Sequence, residues 1–326
     1  MFFALCICLL VAVMFLSIAL ATFAILPAVR LANRFADRAD SSGMANILFG
    51  LRAFPILLGA VASLGLALPA FLEFEPHTTH EIPGAPLLVF AGAGIAFMAV
   101  MSVRCILAMR ATRRVRGKWL KDARLLPDAK THIPVYCVEQ AGSLLAVTGI
   151  FSPRIFVSRD VVDNLTPAEL DAALSHEIAH VSATDNLKQL FLKVTSPPNW
   201  LHSLAKVDFY WARFAELAAD ERAMTSGASA LELASALVKV GRLSVGRRPA
   251  LLTASHLVDG CAESTMGRVA RLRDLLEREN EQQQAPTAAH HHFATTLWLG
   301  SLLVMYLLLL GTVLPQIHEA LEFLVR

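Results

Sequence analysis

Long uncharged stretches alternate with short charged ones along the chain. Phe2 to Leu26 is a run of 25 residues without a charge. About 20 apolar residues in a helix cross the hydrocarbon core of a bilayer, so this run predicts a first membrane span. A cleaved leader fits it less well, because no basic residue precedes it and it is long for such a segment. Ala53 to Leu72 predicts a second span, entered through Arg52, whose side chain can snorkel to the interface. Ala85 to Val103 predicts a third, where Gly92-Ala93-Gly94 invites close helix packing. Phe293 to Leu314 predicts a fourth.

Between the third and fourth runs the pattern becomes that of a folded domain. Val135-Tyr136-Cys137-Val138 and Arg154-Ile155-Phe156-Val157 are β-branched and aromatic runs between turn residues, and they predict strands. Leu144 to Val147 predicts another, followed by a turn from Gly149 to Pro153. Thr166-Pro167-Ala168-Glu169 has the makings of a helix start: an N-cap threonine, proline at the first helical position and glutamate at the third. Leu170, Leu174, Ile178 and Val181 then recur at helical spacing and give that helix a core face. Helices are also expected over Leu187 to Val194, Trp200 to Met224, Leu231 to Leu243 and Gly267 to Glu279, with a linker at Gln282 to Pro286.

Charge placement orients this layout. The segment Glu73 to Glu81 has three acids and no Lys or Arg, whereas Arg104 to Arg124 has eight Lys/Arg and one Asp. Arg30, Arg34 and Arg38 follow the first span. Basic loops stay in the cytoplasm, so the N-terminus is expected outside and the domain inside a bacterial inner (cell) membrane, multi-pass. Arg110 to Arg124 is expected to lie as a helix on the anionic inner leaflet. Direct nucleic-acid binding is not expected, because that stretch is pinned to the membrane and has a single aromatic, Trp119. Hydrophobic residues make up 55% of the chain and charged ones 17%, an apolar excess that the spans explain. The net charge of +2 implies little about partners. Cys6, Cys8, Cys105, Cys137 and Cys261 have neither disulfide-framework nor zinc-knuckle spacing and read as reduced structural thiols. His290-His291-His292 reads as a polar stop beside the fourth span.

The candidate chemistry is His176-Glu177-Ile178-Ala179-His180, followed by Glu216-Leu217-Ala218-Ala219-Asp220. Positions four apart share a helix face, so His176 and His180 can reach one metal ion. Glu177 points beside that face, where it can serve as general base toward water. Glu216, 36 residues past His180, can supply a third ligand from another helix. Asp220, one turn on, can fix a ligand histidine's orientation. Two histidines and a carboxylate around zinc make a hydrolase site.

The residues Gly149-Ile150-Phe151-Ser152-Pro153-Arg154-Ile155, Leu170 to His180, Asp185-Asn186-Leu187, Glu216 to Glu221 and Arg268-Val269-Ala270-Arg271-Leu272 resemble the BlaR/MecR family of antirepressor membrane metallopeptidases, of gluzincin type. The resemblance runs from about Ile133 to Leu276. It implies zinc ligands His176, His180 and Glu216, general base Glu177 and orienting Asp220. It also implies that Leu144 to Val147 is the sheet edge onto which a substrate strand adds. No sensor domain is expected after the fourth run, so antibiotic sensing is not carried over. The HtpX and CAAX prenyl endopeptidase group shares the His-Glu-x-x-His motif and later Glu.

The expected fold is α+β and mostly helical, an integral membrane protein. It has four transmembrane helices and a gluzincin-like zinc protease domain inserted between the third and fourth. The segments are 1–110, 111–292 and 293–326. The expected function is zinc endoproteolysis of a cytoplasmic protein, in regulated destruction of a transcriptional repressor or of the chain itself. A housekeeping protease and a zinc-stabilised signalling scaffold are the rival readings. Expected partners are a protein or peptide substrate, with a winged-helix repressor as candidate, and the lipid bilayer. The oligomeric state is not legible in the sequence.

Overall fold

The computed structural model describes residues 2–35, 41–75, 83–127, 131–139, 144–196, 202–243, 254–256, 267–272 and 314–322. The chain divides into two compact units, one of Met1–Arg34, Gly50–Met101 and Ala285–Arg326, the other of Phe35–Phe49 and Ser102–Gln284.

Three helical stretches among the described residues are long and apolar enough to cross a membrane: Phe2–Pro27, Ser41–Phe74 and Ala85–Lys121. The first belongs to α1 (Phe2–Phe35). The second is α2 (Ser41–Ala60), a π-helical segment (Val61–Ala67) and α3 (Leu68–Phe74) in unbroken succession. It therefore begins twelve residues before the expected second span. The third is α4 (Ala85–Lys121), which joins the expected third span and most of the basic stretch in one helix. A helix ends where backbone bonding fails, not where polarity changes, and the sequence puts no proline between Pro86 and Lys121. The expected fourth span, Phe293 to Leu314, lies outside the described residues except for Leu314 itself.

In the first unit, close packing falls on particular small residues. A Cβ at Gly94 would come within 2.6 Å of the Val11 side chain, and one at Gly59 within 2.6 Å of Ile18. Gly92 has open space around it, so of the two expected packing glycines only Gly94 acts as one. In the π segment, Ser63 donates to the Leu10 carbonyl at 2.8 Å. Leu314 and Leu321 pack in this unit with Phe2, Leu5 and Phe71.

The second unit is built on a sheet of β1 (Ala123–Leu125), β2 (Val135–Val138), β3 (Leu145–Thr148), β4 (Arg154–Ser158) and β5 (Ala254–His256). The order is β1-β2-β4-β3-β5, with β2 and β4 parallel and the other pairs antiparallel. Side chains alternate as a pleat requires. Val135, Leu145, Val147, Ile155 and Val157 face the helical core, whereas Val138, Ala146 and Phe156 pack toward Trp119 and Leu120. Gly149 turns β3 into β4 at φ +102°, and a Cβ there would lie 2.6 Å from the Ser152 carbonyl oxygen. Helices α5 (Arg159–Asn164), α6 (Pro167–Ser182), α7 (Asp185–Val194), α8 (His202–Thr225) and α9 (Ala230–Leu243) follow, with a further helix at 267–272.

One expectation is corrected here. β3 is not an open edge: β5 lies antiparallel along it, with Ala146 opposite His256, Val147 opposite Ser255 and Thr148 opposite Ala254. Strand order is set by long-range pairing, and the short run Ala254-Ser255-His256 has no β-pattern of its own to announce it.

Candidate metal centre

Helix α6 begins as its sequence requires. The Thr166 hydroxyl accepts from the Glu169 amide at 3.3 Å, and the Glu169 carboxylate accepts from the Thr166 amide at 2.7 Å. Glu169 also accepts from the Ser235 hydroxyl at 2.6 Å and from Lys239 at 2.7 Å, which ties the helix start to α9. Burial alone would raise the Glu169 pKa. The bonds from Lys239, Ser235 and the Thr166 amide outweigh it and hold the carboxyl at about 2. The helix then carries His176, Glu177 and His180 inward, all essentially without solvent exposure.

The two imidazoles face each other, Nε2 to Nε2, at 3.1 Å. Glu216, on α8, brings Oε2 to 3.5 Å from His176 Nε2 and Oε1 to 3.4 Å from His180 Nε2. One ligand atom from each of the three residues lies within 4.8 Å of the others. On the far side of each ring stands a carboxylate. Asp220 Oδ1 is 2.9 Å from His176 Nδ1, and Asp185 Oδ2 is 2.8 Å from His180 Nδ1. An ionised carboxylate only accepts, so the His180 proton belongs on Nδ1, bonded to Asp185, and the Asp220 carboxylate close to His176 Nδ1 favours the same tautomer there. Two bare Nε2 lone pairs are then directed at one point beside a carboxylate.

That arrangement fits a metal ion. Two nitrogens bound tetrahedrally at about 2.0–2.1 Å from zinc stand roughly 3.3 Å apart, close to the spacing here. Glu216 is largely buried and turns a carboxylate oxygen toward each Nε2, while Arg268 Nη1 stands 3.0 Å from its Oε2. Burial alone would lower the His180 pKa, but Glu216 and Asp185 raise it to about 10. The His176 pKa is raised as well, where Asp220 and Glu216 outweigh burial. A field that holds protons on imidazoles holds a dication at the same place.

Glu177 sits beside this cluster, fully buried. Burial pushes its carboxyl up to about 7, an effect that the two histidines oppose and Glu216 adds to. Its Oε2 accepts from the Val147 amide on β3 at 3.1 Å, so the residue touches both the histidines' surroundings and the strand beside β5.

All five residues singled out in the sequence thus come together: His176, Glu177, His180, Glu216 and Asp220. Residues 113–256 match the family model of peptidase family M48. The matched stretch is less than half of the 326 residues and contains both histidines, Glu177 and Glu216. Peptidases of this family depend on a metal, usually zinc. Together with the apolar helices, the match supports a membrane-associated metallopeptidase. No curated protein matches the chain.

Two residues at the centre were not singled out for a role. Asp185 follows Thr184, whose left-handed backbone (φ 56°) turns the chain sharply between α6 and α7 and brings the aspartate back to His180. The signal was an acid opening a new helix directly behind the motif. The other is Arg268, which binds Asp220 and stands 3.0 Å from Glu216. His202 lies exposed at the start of α8, and Tyr210 packs edge-on with Phe209 at 5.7 Å between ring centres. Six positions before Glu216, Tyr210 is about 240° around the helix from it.

Proposed function

We propose that the chain is a zinc metalloendopeptidase of the membrane that cuts a cytoplasmic protein, a transcriptional repressor or its own domain. The observation that carries this reading is the convergence of His176, His180 and Glu216 with Glu177 buried beside them. A structural zinc site has no use for a carboxylate base at its side.

His176, His180 and Glu216 would hold the ion, with Asp220 and Asp185 fixing the two rings. When bound, zinc makes water acidic near neutral pH and polarises the scissile carbonyl. Glu177 accepts the proton of the attacking water as its oxygen bonds to the carbonyl carbon. It returns that proton to the nitrogen as the carbon–nitrogen bond breaks. The Val147 amide orients Glu177 and fixes its distance from the strand along which a substrate backbone would lie. β5 lies on that strand now, antiparallel, as an extended substrate would. A segment of the chain in that place supports self-cleavage, or displacement of β5 by another protein's strand. The M48 match supports proteolysis and does not bear on its regulation, so a housekeeping membrane protease is the second reading.

The test is Glu177→Gln. Glutamine keeps the shape and cannot take the proton, so cleavage should fall at least about 100-fold. Zinc content should stay unchanged. Cleavage of a co-expressed repressor, or of the chain itself, is followed in matched membranes. An unchanged rate would favour the non-enzymatic scaffold. Cleavage of other membrane-associated proteins with the repressor left intact would favour the housekeeping reading.

The orientation proposed rests on the charge contrast between Glu73 to Glu81 and Arg104 to Arg124. An impermeant thiol reagent should label a cysteine placed at Thr78 in intact cells, and not one placed at Asp128. The reverse labelling would turn the topology over.

A further inference from the structure

Arg268 lies on the 267–272 helix, outside the segment that matches the peptidase family, and is only 5% exposed. Its Nε is 2.9 Å from Asp220 Oδ2 and its Nη2 is 2.6 Å from Asp220 Oδ1. Its Nη1 stands 3.0 Å from Glu216 Oε2. One planar fork therefore spans two carboxylates that are one turn apart on α8.

Those carboxylates need such a partner. Glu216 and Asp220 sit four positions apart on one helix face, both turned into a dry site, and like charges there repel. Either could approach a dication. With both of its oxygens bound to Arg268, Asp220 is kept against His176 Nδ1 and away from the point where the two Nε2 atoms converge. Glu216 is left with Oε1 toward His180.

We propose that Arg268 is a positioning residue that assigns the two carboxylates their roles, Glu216 as metal ligand and Asp220 as orienter of His176. This rests on the metal-site reading above. A lysine ammonium is a point charge and cannot span both groups as the fork does.

The neighbouring Arg271 supplies the control. It is on the same short helix and binds Glu221, the residue after Asp220, and the Ser41 hydroxyl at 2.7 Å. Its side chain is 38% exposed and does not touch the site residues named above. Both arginines pin the helix; Arg268 alone reaches the centre. A purely structural role would lower stability in either variant without changing the metal's ligand set.

The experiment uses the full chain purified in detergent, as wild type, Arg268→Met, Arg268→Lys and Arg271→Met. Zinc affinity is measured by chelator competition. The ligand set is read from the visible bands of the cobalt(II)-loaded protein. We expect Arg268→Met and Arg268→Lys to bind zinc about 10- to 100-fold more weakly and to shift the cobalt bands. Arg271→Met should keep wild-type affinity and bands, with any effect confined to thermal stability. If Arg268→Met does not fold, Arg268→Lys, which keeps the buried charge, decides. Wild-type affinity and bands in Arg268→Lys overturn the proposal, and so does an equal effect from Arg271→Met. Wild type that takes up neither metal overturns the metal-site reading and this inference with it.

Discussion

In α6 the residue that starts the helix and the residues that face the metal position lie within fourteen positions, Thr166 to His180. The cap, the tie to α9 through Glu169 and the four-residue histidine spacing belong to one continuous stretch. In α8, Glu216 and Asp220 are held instead by Arg268, 48 residues past Asp220. The two helices contribute to one centre, but one is supported near its own start and the other by a segment outside the family match. Damage to α6 should thus weaken the fold generally, whereas damage around α8 should show first in the metal.

The largest effect expected on the α8 side is that of Glu216→Ala. Two histidines alone leave the site one protein ligand short, so the purified variant should lose most of the zinc that wild type retains. Elemental analysis of dialysed protein measures this. Full occupancy in the variant would remove Glu216 from the ligand set.

Next come the two aspartates, which bear on the comparison directly. Asp220→Asn and Asp185→Asn should each weaken zinc binding by about 10- to 100-fold, because each unfixes one imidazole. They should differ in stability. Asp220→Asn leaves Arg268 with Glu216 but without the acid that takes two of its nitrogens, and weakening a buried charged hydrogen-bond pair costs about 1–3 kcal/mol. Besides His180, Asp185 has Lys188 at 3.6 Å, a looser ion pair, and its variant should unfold close to wild type. Metal competition and thermal unfolding of the metal-free proteins separate the two effects. Equal loss of stability would mean that Arg268 does not depend on Asp220.

The contrast also explains which parts were legible in the sequence. α6 was legible from Thr166 through His180, because its cap, its periodicity and its histidines are local patterns. β2 and β4 were legible for the same reason. Glu216 and Asp220 were placed by motif spacing, four apart on one helix. What escaped depends on pairing across long separations. Arg268 stood in a run noted only for its resemblance, since an arginine shows no period that names its partner. β5 is a three-residue strand whose existence depends on β3. The continuity of α4 escaped for a different reason: hydropathy marks where a helix leaves lipid, not where it stops.

The smallest effect tests the α6 side. Glu169→Gln keeps the size of the side chain and loses the charge that Lys239 binds, so the metal-free fold should lose about 1–3 kcal/mol at neutral pH. The pH dependence is the sharper measurement. The Glu169 carboxyl titrates at about 2 when folded, against 4.5 for an ordinary glutamate. A carboxylate with a depressed pKa stabilises the fold above its unfolded pKa, because the unfolded chain binds the proton more readily. The contribution should be complete above pH 4.5, decline as pH falls, and be gone near pH 2. The gap in stability between wild type and Glu169→Gln should therefore narrow over that window. Helical circular dichroism through denaturant titrations, at several pH values in one detergent, follows the gap. A gap that stays constant from pH 6 to pH 2.5 would mean that the Glu169 charge contributes nothing. Ser235 and Thr166 would then hold the start of α6 through neutral hydrogen bonds, and its independence from α9's lysine would have to be accepted.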